Sequence, residues 1–77
     1  MIKTKKNAQQ LLDTIRAGLT VQYTKENTNI TINYNNESNK YQITKDNGFI
    51  KSNGEYPEIT AMYLIFGDRK YINNSIK

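Results

Sequence analysis

The stretch NITINYNNESNKYQIT, residues 29–44, decides the fold of this 77-residue chain. Apolar and small polar residues alternate on both sides of an Asn-rich turn, with Ile30 and Ile32 before the turn and Tyr41 and Ile43 after it. A period of two residues is typical of a strand with one buried face. The stretch therefore predicts a β-hairpin with aliphatic and tyrosyl groups inward and amides and hydroxyls outward.

The run LTVQYT, residues 19–24, alternates in the same way and predicts a third strand ahead of the hairpin. Three period-two strands joined by short polar turns indicate an antiparallel meander with one wet face. Asp-Asn-Gly at residues 46–48 is a strong turn signal. A short fourth strand around residues 49–51 can follow it, before a second Asn-Gly turn at residues 53–54.

Helical periodicity predicts one helix before the strands in the chain and one after them. Residues 8–17 carry apolar side chains at i, i+3, i+4 and i+7, behind Asn7 as N-cap and Gln10 as its capping-box partner. Residues 57–67 open on a proline, which suits the start of a helix. The inward residues expected in this second helix are Ile59, Met62, Tyr63 and Phe66. The tail that follows is expected to pair as a short strand or to fray.

The predicted fold is α+β, a single domain over residues 1–77 with α-β-β-β-α order and the helices packed on one face of an antiparallel sheet. A chain this short has a small core. Most of that core is expected from Leu11, Leu12, Ile15, Val21, Ile30, Ile32, Tyr41, Ile43, Met62 and Phe66. The edge strands carry unpaired backbone groups, so a monomer and a homodimer both remain open.

Composition argues against most catalytic chemistry. The chain has no cysteine and no histidine, so it lacks thiolate nucleophiles, histidine bases and the usual zinc ligands. Its seven acidic residues fall mostly in predicted turns and at helix ends, where carboxylates usually cap or face solvent. No phosphate-binding glycine motif is present. We therefore expect a non-enzymatic protein with no catalytic residue, cofactor or metal.

The hydropathy pattern favours a cytoplasmic protein that does not contact a membrane. No apolar run approaches the roughly 18 residues of a membrane span. The basic N-terminal segment is not followed by the apolar segment of a signal peptide. The enrichment in Asn, Lys, Ile and Tyr is typical of an AT-rich genome, such as that of a low-GC bacterium or its phages.

The outward face and the turn of the hairpin form the candidate binding surface for a protein. They offer amide and hydroxyl groups at little desolvation cost, as wet and adaptable interfaces do. The expected partner-binding residues are Thr31, Asn33, Asn36, Glu37, Asn39 and Gln42. The alternative interpretation is that this face contacts only water.

A nucleic-acid-binding role is the alternative function. The net charge is +4, and basic residues concentrate near the N-terminus, which favours a polyanionic partner or simply keeps the protein soluble. The candidate phosphate contacts are Lys3, Lys5, Lys6, Arg69 and Lys70. The α-β-β-β-α order resembles the double-stranded RNA-binding domain. However, KEN (25–27) stands in place of that family's Gly-Pro-x-His loop, and the acidic PEITA (57–61) replaces its Lys-Lys-x-Ala-Lys cluster.

Residues 8–44 also resemble the small phage-encoded anti-CRISPR proteins that inhibit Cas9. The similarity covers the helix AQQLLDTIRAG, the strand TVQYT and the hairpin NITINYNNESNKYQIT. It implies an inhibitor that covers a surface of a host protein or ribonucleoprotein. The best-known members are strongly acidic and mimic DNA, whereas this chain is basic. The resemblance therefore implies a different surface of the nuclease or its guide RNA, and no functional residue is carried over.

Overall fold

The polypeptide forms a four-stranded antiparallel sheet with one helix before it and two after it, which confirms the α+β class. The structure, a computed structural model, describes residues 1–75. In chain order its elements are α1 (Lys5–Arg16), β1 (Val21–Lys25), β2 (Thr28–Asn35), β3 (Lys40–Asp46), β4 (Lys51–Tyr56), α2 (Glu58–Gly67) and α3 (Arg69–Ser75). The strands lie side by side in the order β1-β2-β3-β4, so the sheet is a meander and the fourth strand is present.

The turn between β1 and β2 fixes the register of the sheet. Glu26 and Asn27 both have positive φ angles, 49° and 65°. Two such residues form a type I′ turn, whose twist matches that of the flanking strands. Lys25 lies opposite Thr28 where the turn closes. The turn therefore sets the register of β2 against β1.

The helices cover one face of the sheet, as the alternation predicts. The buried sheet residues are Val21, Tyr23, Ile30, Ile32, Tyr41 and Ile43. The rest of the core comes from the N-terminal segment and the helices: Ile2, Ala8, Leu12, Ile15, Ala61, Ile65 and Ile72. Leu11, Met62 and Phe66, which the sequence also placed in the core, are only partly buried against it.

Helix α1 begins three residues earlier than its apolar spacing predicts. Thr4 is the N-cap, and its hydroxyl accepts a hydrogen bond from the Asn7 backbone N–H at 3.2 Å. The Asn7 side chain accepts in return from the Thr4 N–H at 3.2 Å. The prediction of Asn7 as N-cap with Gln10 as partner is therefore wrong, because Asn7 occupies the third position of the capping box instead.

Strand β4 differs from its sequence prediction at both ends. Phe49 and Ile50, expected in the strand, lie in the preceding loop, and the predicted Asn53-Gly54 turn lies inside the strand. The segment has weak strand propensity, but it pairs with β3 along its whole length, with Gly54 opposite Ile43. This pairing imposes the extended conformation. A methyl group at Gly54 would lie 2.8 Å from the Tyr56 hydroxyl oxygen, so glycine lets the Tyr56 ring fold back over the strand.

The inward face of α2 and the tail also differ from the prediction. The buried residues of α2 are Ala61 and Ile65, while Ile59 and Tyr63 are exposed to 62% and 53%. Helical spacing cannot identify the inward face here because α2 is apolar nearly all round. The tail forms α3 rather than a strand, and Ile72 packs from it into the core.

Candidate interaction surface

The outer face of the sheet carries polar side chains on all four strands. Strand pairing places them in three rows across the sheet. The rows are Thr24, Asn29, Asp46 and Lys51; Gln22, Thr31, Thr44 and Asn53; and Asn33, Gln42 and Glu55. No aliphatic or aromatic residue occupies these positions. The face is therefore a continuous array of amides and hydroxyls with a few charges.

Hydrogen bonds between neighbouring strands hold several of these side chains in place. Gln42 Nε2 donates to Asn53 Oδ1 at 3.1 Å, and Thr44 Oγ1 donates to the same oxygen at 3.5 Å. Thr24 Oγ1 donates to Asn29 Oδ1 at 3.0 Å. Side chains that are already ordered lose less conformational entropy when a partner binds.

The turn between β2 and β3 is attached to β4 by the Glu55 carboxylate. Glu55 Oε2 accepts from Asn35 Nδ2 at 2.9 Å and from Ser38 Oγ at 2.6 Å. Within the turn, the Glu37 N–H donates to Asn35 Oδ1 at 2.9 Å, and Asn39 adopts a positive φ of 58°. The turn is therefore an ordered extension of the outer face.

The structure brings the predicted partner-binding residues together on one side of the molecule. Thr31, Asn33 and Gln42 lie on the outer face, partly exposed, with Asn33 directly opposite Gln42. The other three predicted residues, Asn36, Glu37 and Asn39, are exposed on the adjoining turn. The sequence predicted a wet face on β1 as well, but it did not indicate that β4 widens this surface. For β1, the alternation of Gln22 and Thr24 with Val21 and Tyr23 was an available signal.

An apolar loop tip, formed by Phe49 and Ile50 between β3 and β4, was missed by the sequence analysis. Phe49 is 96% exposed and Ile50 is 69% exposed. Asn47 Oδ1 accepts from both of their backbone N–H groups, at 2.9 and 2.8 Å, and the Gly48 N–H donates to Asp46 Oδ1 at 2.9 Å. The loop is thus ordered by side-chain hydrogen bonds while its two apolar side chains face solvent.

The N-terminal segment, with the predicted phosphate-binding lysines, lies beside α3. The Ile2 N–H donates to Asn73 Oδ1 at 2.8 Å, and Asn73 Nδ2 donates to the Ile2 carbonyl at 2.9 Å. These bonds bring Lys3 and the start of α1, with Lys5 and Lys6, to the helix that carries Arg69 and Lys70.

Two of these basic groups have contacts within the protein. The Lys5 ammonium lies 5.1 Å from the centre of the Tyr63 ring. The Arg69 guanidinium lies 4.4 Å from the centre of the Phe66 ring and donates to the Phe66 carbonyl at 2.8 Å. Their charges remain, but their side chains are held against α2.

A buried carboxylate, Asp68, connects β1 to the junction between α2 and α3. Tyr23 Oη donates to Asp68 Oδ2 at 2.6 Å, and Lys25 Nζ lies 2.8 Å from Asp68 Oδ1. Burial, together with the hydrogen bond to Asp68, raises the pKa of the Tyr23 hydroxyl well above its usual range. The hydrogen bond and charge of Asp68 also raise the pKa of Lys25. Both donors keep their protons near neutral pH, and the cluster holds the two segments together.

Other features of residues 1–75 add no further site. In this part of the chain, no group of three or more His, Cys, Asp and Glu side chains is placed to hold a metal ion. None of the described helices is long and apolar enough to cross a membrane. Comparison with known proteins finds no match to the chain among family models, curated proteins or solved structures.

Proposed function

We propose that this chain is a small non-enzymatic binding protein of phage or mobile-element type that acts in the cytoplasm. It inhibits a larger host protein or ribonucleoprotein by covering part of its surface, in the manner of anti-CRISPR proteins. The observation that carries the proposal is the continuous polar outer face, four strands wide, whose side chains are partly fixed by hydrogen bonds.

Binding of a protein partner fits the chemistry of this face better than binding of a small molecule. A small ligand needs a concave and largely apolar site, whereas the sheet presents amides and hydroxyls over a broad surface. Protein interfaces commonly contain about one hydrogen bond per 100–200 Å² and many bridging waters. The row Asn33–Gln42–Glu55 and the turn residues Glu37 and Asn39 supply donors and acceptors for such contacts.

The test is affinity capture from a lysate of a low-GC bacterium, followed by a comparison of variants. Gln42→Arg puts a long charged side chain in the middle of the outer face. Gln10→Arg makes the same substitution on the exposed surface of α1 and serves as the matched control. We expect a captured protein to be lost with Gln42→Arg and retained with Gln10→Arg, and to remain after nuclease treatment. Equal capture by both variants would contradict the proposal.

Nucleic-acid binding remains the second candidate, favoured by the hydrogen bonds that hold the N-terminal segment beside α3. Each phosphate contact that is lost should reduce the salt dependence of binding by about one unit of slope on a logarithmic scale. Substitution of Lys3, Lys5 and Lys6 by alanine therefore tests it directly. Weaker binding to DNA or RNA with a shallower salt slope would support this function, and no change would exclude these lysines as phosphate contacts.

A further inference from the structure

The free edge of β4 has features that together favour a second copy of this chain as its partner. We propose that β4 pairs with β4 of a second copy in antiparallel orientation, about a two-fold axis that passes beside Asn53. The two sheets then form one eight-stranded sheet, and the polar outer faces lie side by side on the same surface. The inference is independent of the proposed function.

The backbone of β4 presents hydrogen-bonding groups along its outer edge. Because Lys25 and Thr28 close a two-residue turn, they form a hydrogen-bonded pair, and such pairs alternate along each antiparallel ladder. The observed register carries this alternation from β1 through β2 and β3 to β4. As a result, the N–H and C=O groups of Lys51, Asn53 and Glu55 point away from β3. A neighbouring strand can therefore bond to all three residues.

Only one antiparallel register pairs all three of these residues with each other. In that register Asn53 lies opposite Asn53 of the second copy, and Lys51 lies opposite Glu55 of the second copy. The two-fold axis repeats the Lys51–Glu55 pair, so every charge on the edge faces an opposite charge. Directly opposed unlike charges stabilise antiparallel strand pairs, and like charges destabilise them. Such a self-complementary surface is what a two-fold dimer requires.

The same register places the exposed apolar residues at one end of β4 against those at its other end. Beyond the ends of β4, this register brings the loop residues Ile50 and Phe49 towards Tyr56 and Pro57 of the second copy. Phe49, Ile50 and Tyr56 are exposed to 96%, 69% and 38% in the single chain. Isolated exposed apolar residues are common, but here they lie at both ends of one unprotected edge. Pairing would remove them from water in two symmetric clusters.

The opposite edge of the sheet is less suited to this role. β1 lies beside α3, and the open groove there is lined by residues of both, including Gln22, Thr24, Tyr71 and Asn74. A stable interface buries about 800 Å² on each partner, roughly 15% of the 5281 Å² surface of this chain. The β4 edge together with the apolar loop tip, Phe49 and Ile50, offers a longer surface than β1 alone.

The first test is the molecular mass in solution as a function of protein concentration, by analytical ultracentrifugation. We expect a shift from 8.9 kDa to twice this mass as concentration rises. Asn53→Pro should abolish the shift, because it removes an N–H that points away from β3 and leaves the internal ladder intact. Gln22→Pro makes the equivalent change on the β1 edge and should leave the shift unchanged.

Three variants without proline keep the test valid if a proline variant fails to fold. Lys51→Glu puts like charges opposite each other at two places, so the dimer dissociation constant should rise about tenfold. Adding Glu55→Lys to that variant should restore dimerisation. Ile50→Ser changes only an exposed loop side chain and should also weaken the dimer.

The second test determines the register. The chain has no cysteine, so each introduced thiol is the only one in its protomer. Directly opposite residues have Cα atoms about 5.5 Å apart or closer, which a disulfide spans. Asn53→Cys should therefore give a covalent dimer on mild oxidation. Lys51→Cys places its two thiols about 13 Å apart along the strands and should not.

The results have distinct meanings. A dimer that Asn53→Pro abolishes, with cross-linking by Asn53→Cys alone, supports the proposal. The mass of a monomer at every concentration overturns the proposal. Equal cross-linking by Asn53→Cys and Lys51→Cys also overturns it. Neither measurement involves a foreign partner, so a failure here leaves the proposed function unaffected.

Discussion

Removal of the Tyr23 hydroxyl should destabilise the protein more than removal of the Tyr41 hydroxyl. Both rings are buried, so Tyr23→Phe and Tyr41→Phe each delete one oxygen from the core and leave the ring packing intact. Tyr23 donates to the buried Asp68 carboxylate at 2.6 Å. Tyr41 donates to the neutral carbonyl of Leu12 at 3.2 Å, and its hydroxyl lies 3.5 Å from the partly buried Glu58 carboxylate.

The expected costs follow from the nature of the two acceptors. A hydrogen bond to a charged group is worth about 1.5–3 kcal/mol, compared with about 0.5–1.5 kcal/mol for a bond between neutral groups. In Tyr23→Phe, Asp68 Oδ2 would also be left without a donor in a buried site, which places the cost at the upper part of its range. The main acceptor of Tyr41 is an uncharged carbonyl at 3.2 Å, and the charged Glu58 oxygen lies at 3.5 Å in a partly exposed position, where a hydrogen bond is weak. Tyr41→Phe should therefore cost about 1 kcal/mol.

Urea unfolding followed by circular dichroism, at one fixed protein concentration, measures both values. A fixed concentration is needed because dimerisation makes the apparent stability depend on concentration. We expect the free energy of unfolding of Tyr23→Phe to lie at least about 1 kcal/mol below that of Tyr41→Phe. Equal costs, or a larger cost for Tyr41→Phe, would show that the Tyr23–Asp68 hydrogen bond does not hold β1 to the helices.

Three further outcomes can be measured by the same unfolding assay. Burial raises the pKa of Tyr23, and the pKa of Tyr41 is raised to about 12, so the folded state keeps protons that the unfolded chain releases. The free energy of unfolding should therefore fall above pH 10 by about 1.4 kcal/mol per pH unit for each tyrosine. A free energy of unfolding that does not change above pH 10 would contradict this prediction. Ile65→Ala should lower the free energy of unfolding by about 2–5 kcal/mol, and Ile59→Ala should lower it by less than about 0.5 kcal/mol. The reverse order would mean that the other face of α2 is buried. Thr4→Ala should cost about 1 kcal/mol through loss of the N-cap, and no loss would argue against the observed cap.

The central hairpin and the inward face of α1 were predictable because each has a clear period. Ile30 and Ile32 alternate with polar residues in β2, as Tyr41 and Ile43 do in β3, and one face of both strands is buried as the alternation requires. Helix α2 has no such contrast between an apolar and a polar face. Tyr63 and Ile65 are both apolar, but only Ile65 is buried. A helix that is apolar all round requires the tertiary structure to show which face packs.

The bounds of strand β4 and the Asp68 cluster were not predictable for a different reason. The sequence SNGE in β4 has low strand propensity, and pairing with β3 imposes its conformation. The sequence analysis grouped Asp68 with the acids expected to cap helices or face solvent, but it contacts Tyr23 and Lys25, which are 45 and 43 residues away in the chain. Contacts of this range depend on the packing of helices against the sheet, which no local pattern encodes.

The location of the candidate site was partly predictable. The sequence identified Thr31, Asn33 and Gln42 on the hairpin, and the structure places them on one outer face. The contribution of β4 to that face and the role of Glu55 in holding the turn became apparent only from the structure.

Carbodiimide labelling of the captured complex tests most directly whether the outer face is the binding surface. Glu37 lies exposed on the turn that extends this face, and Asp13 lies exposed on α1, on the helical side of the sheet. We predict that partner binding protects the Glu37 carboxylate and leaves the labelling of Asp13 at the level of the free protein. Protection of Asp13 with full labelling of Glu37 would contradict this assignment.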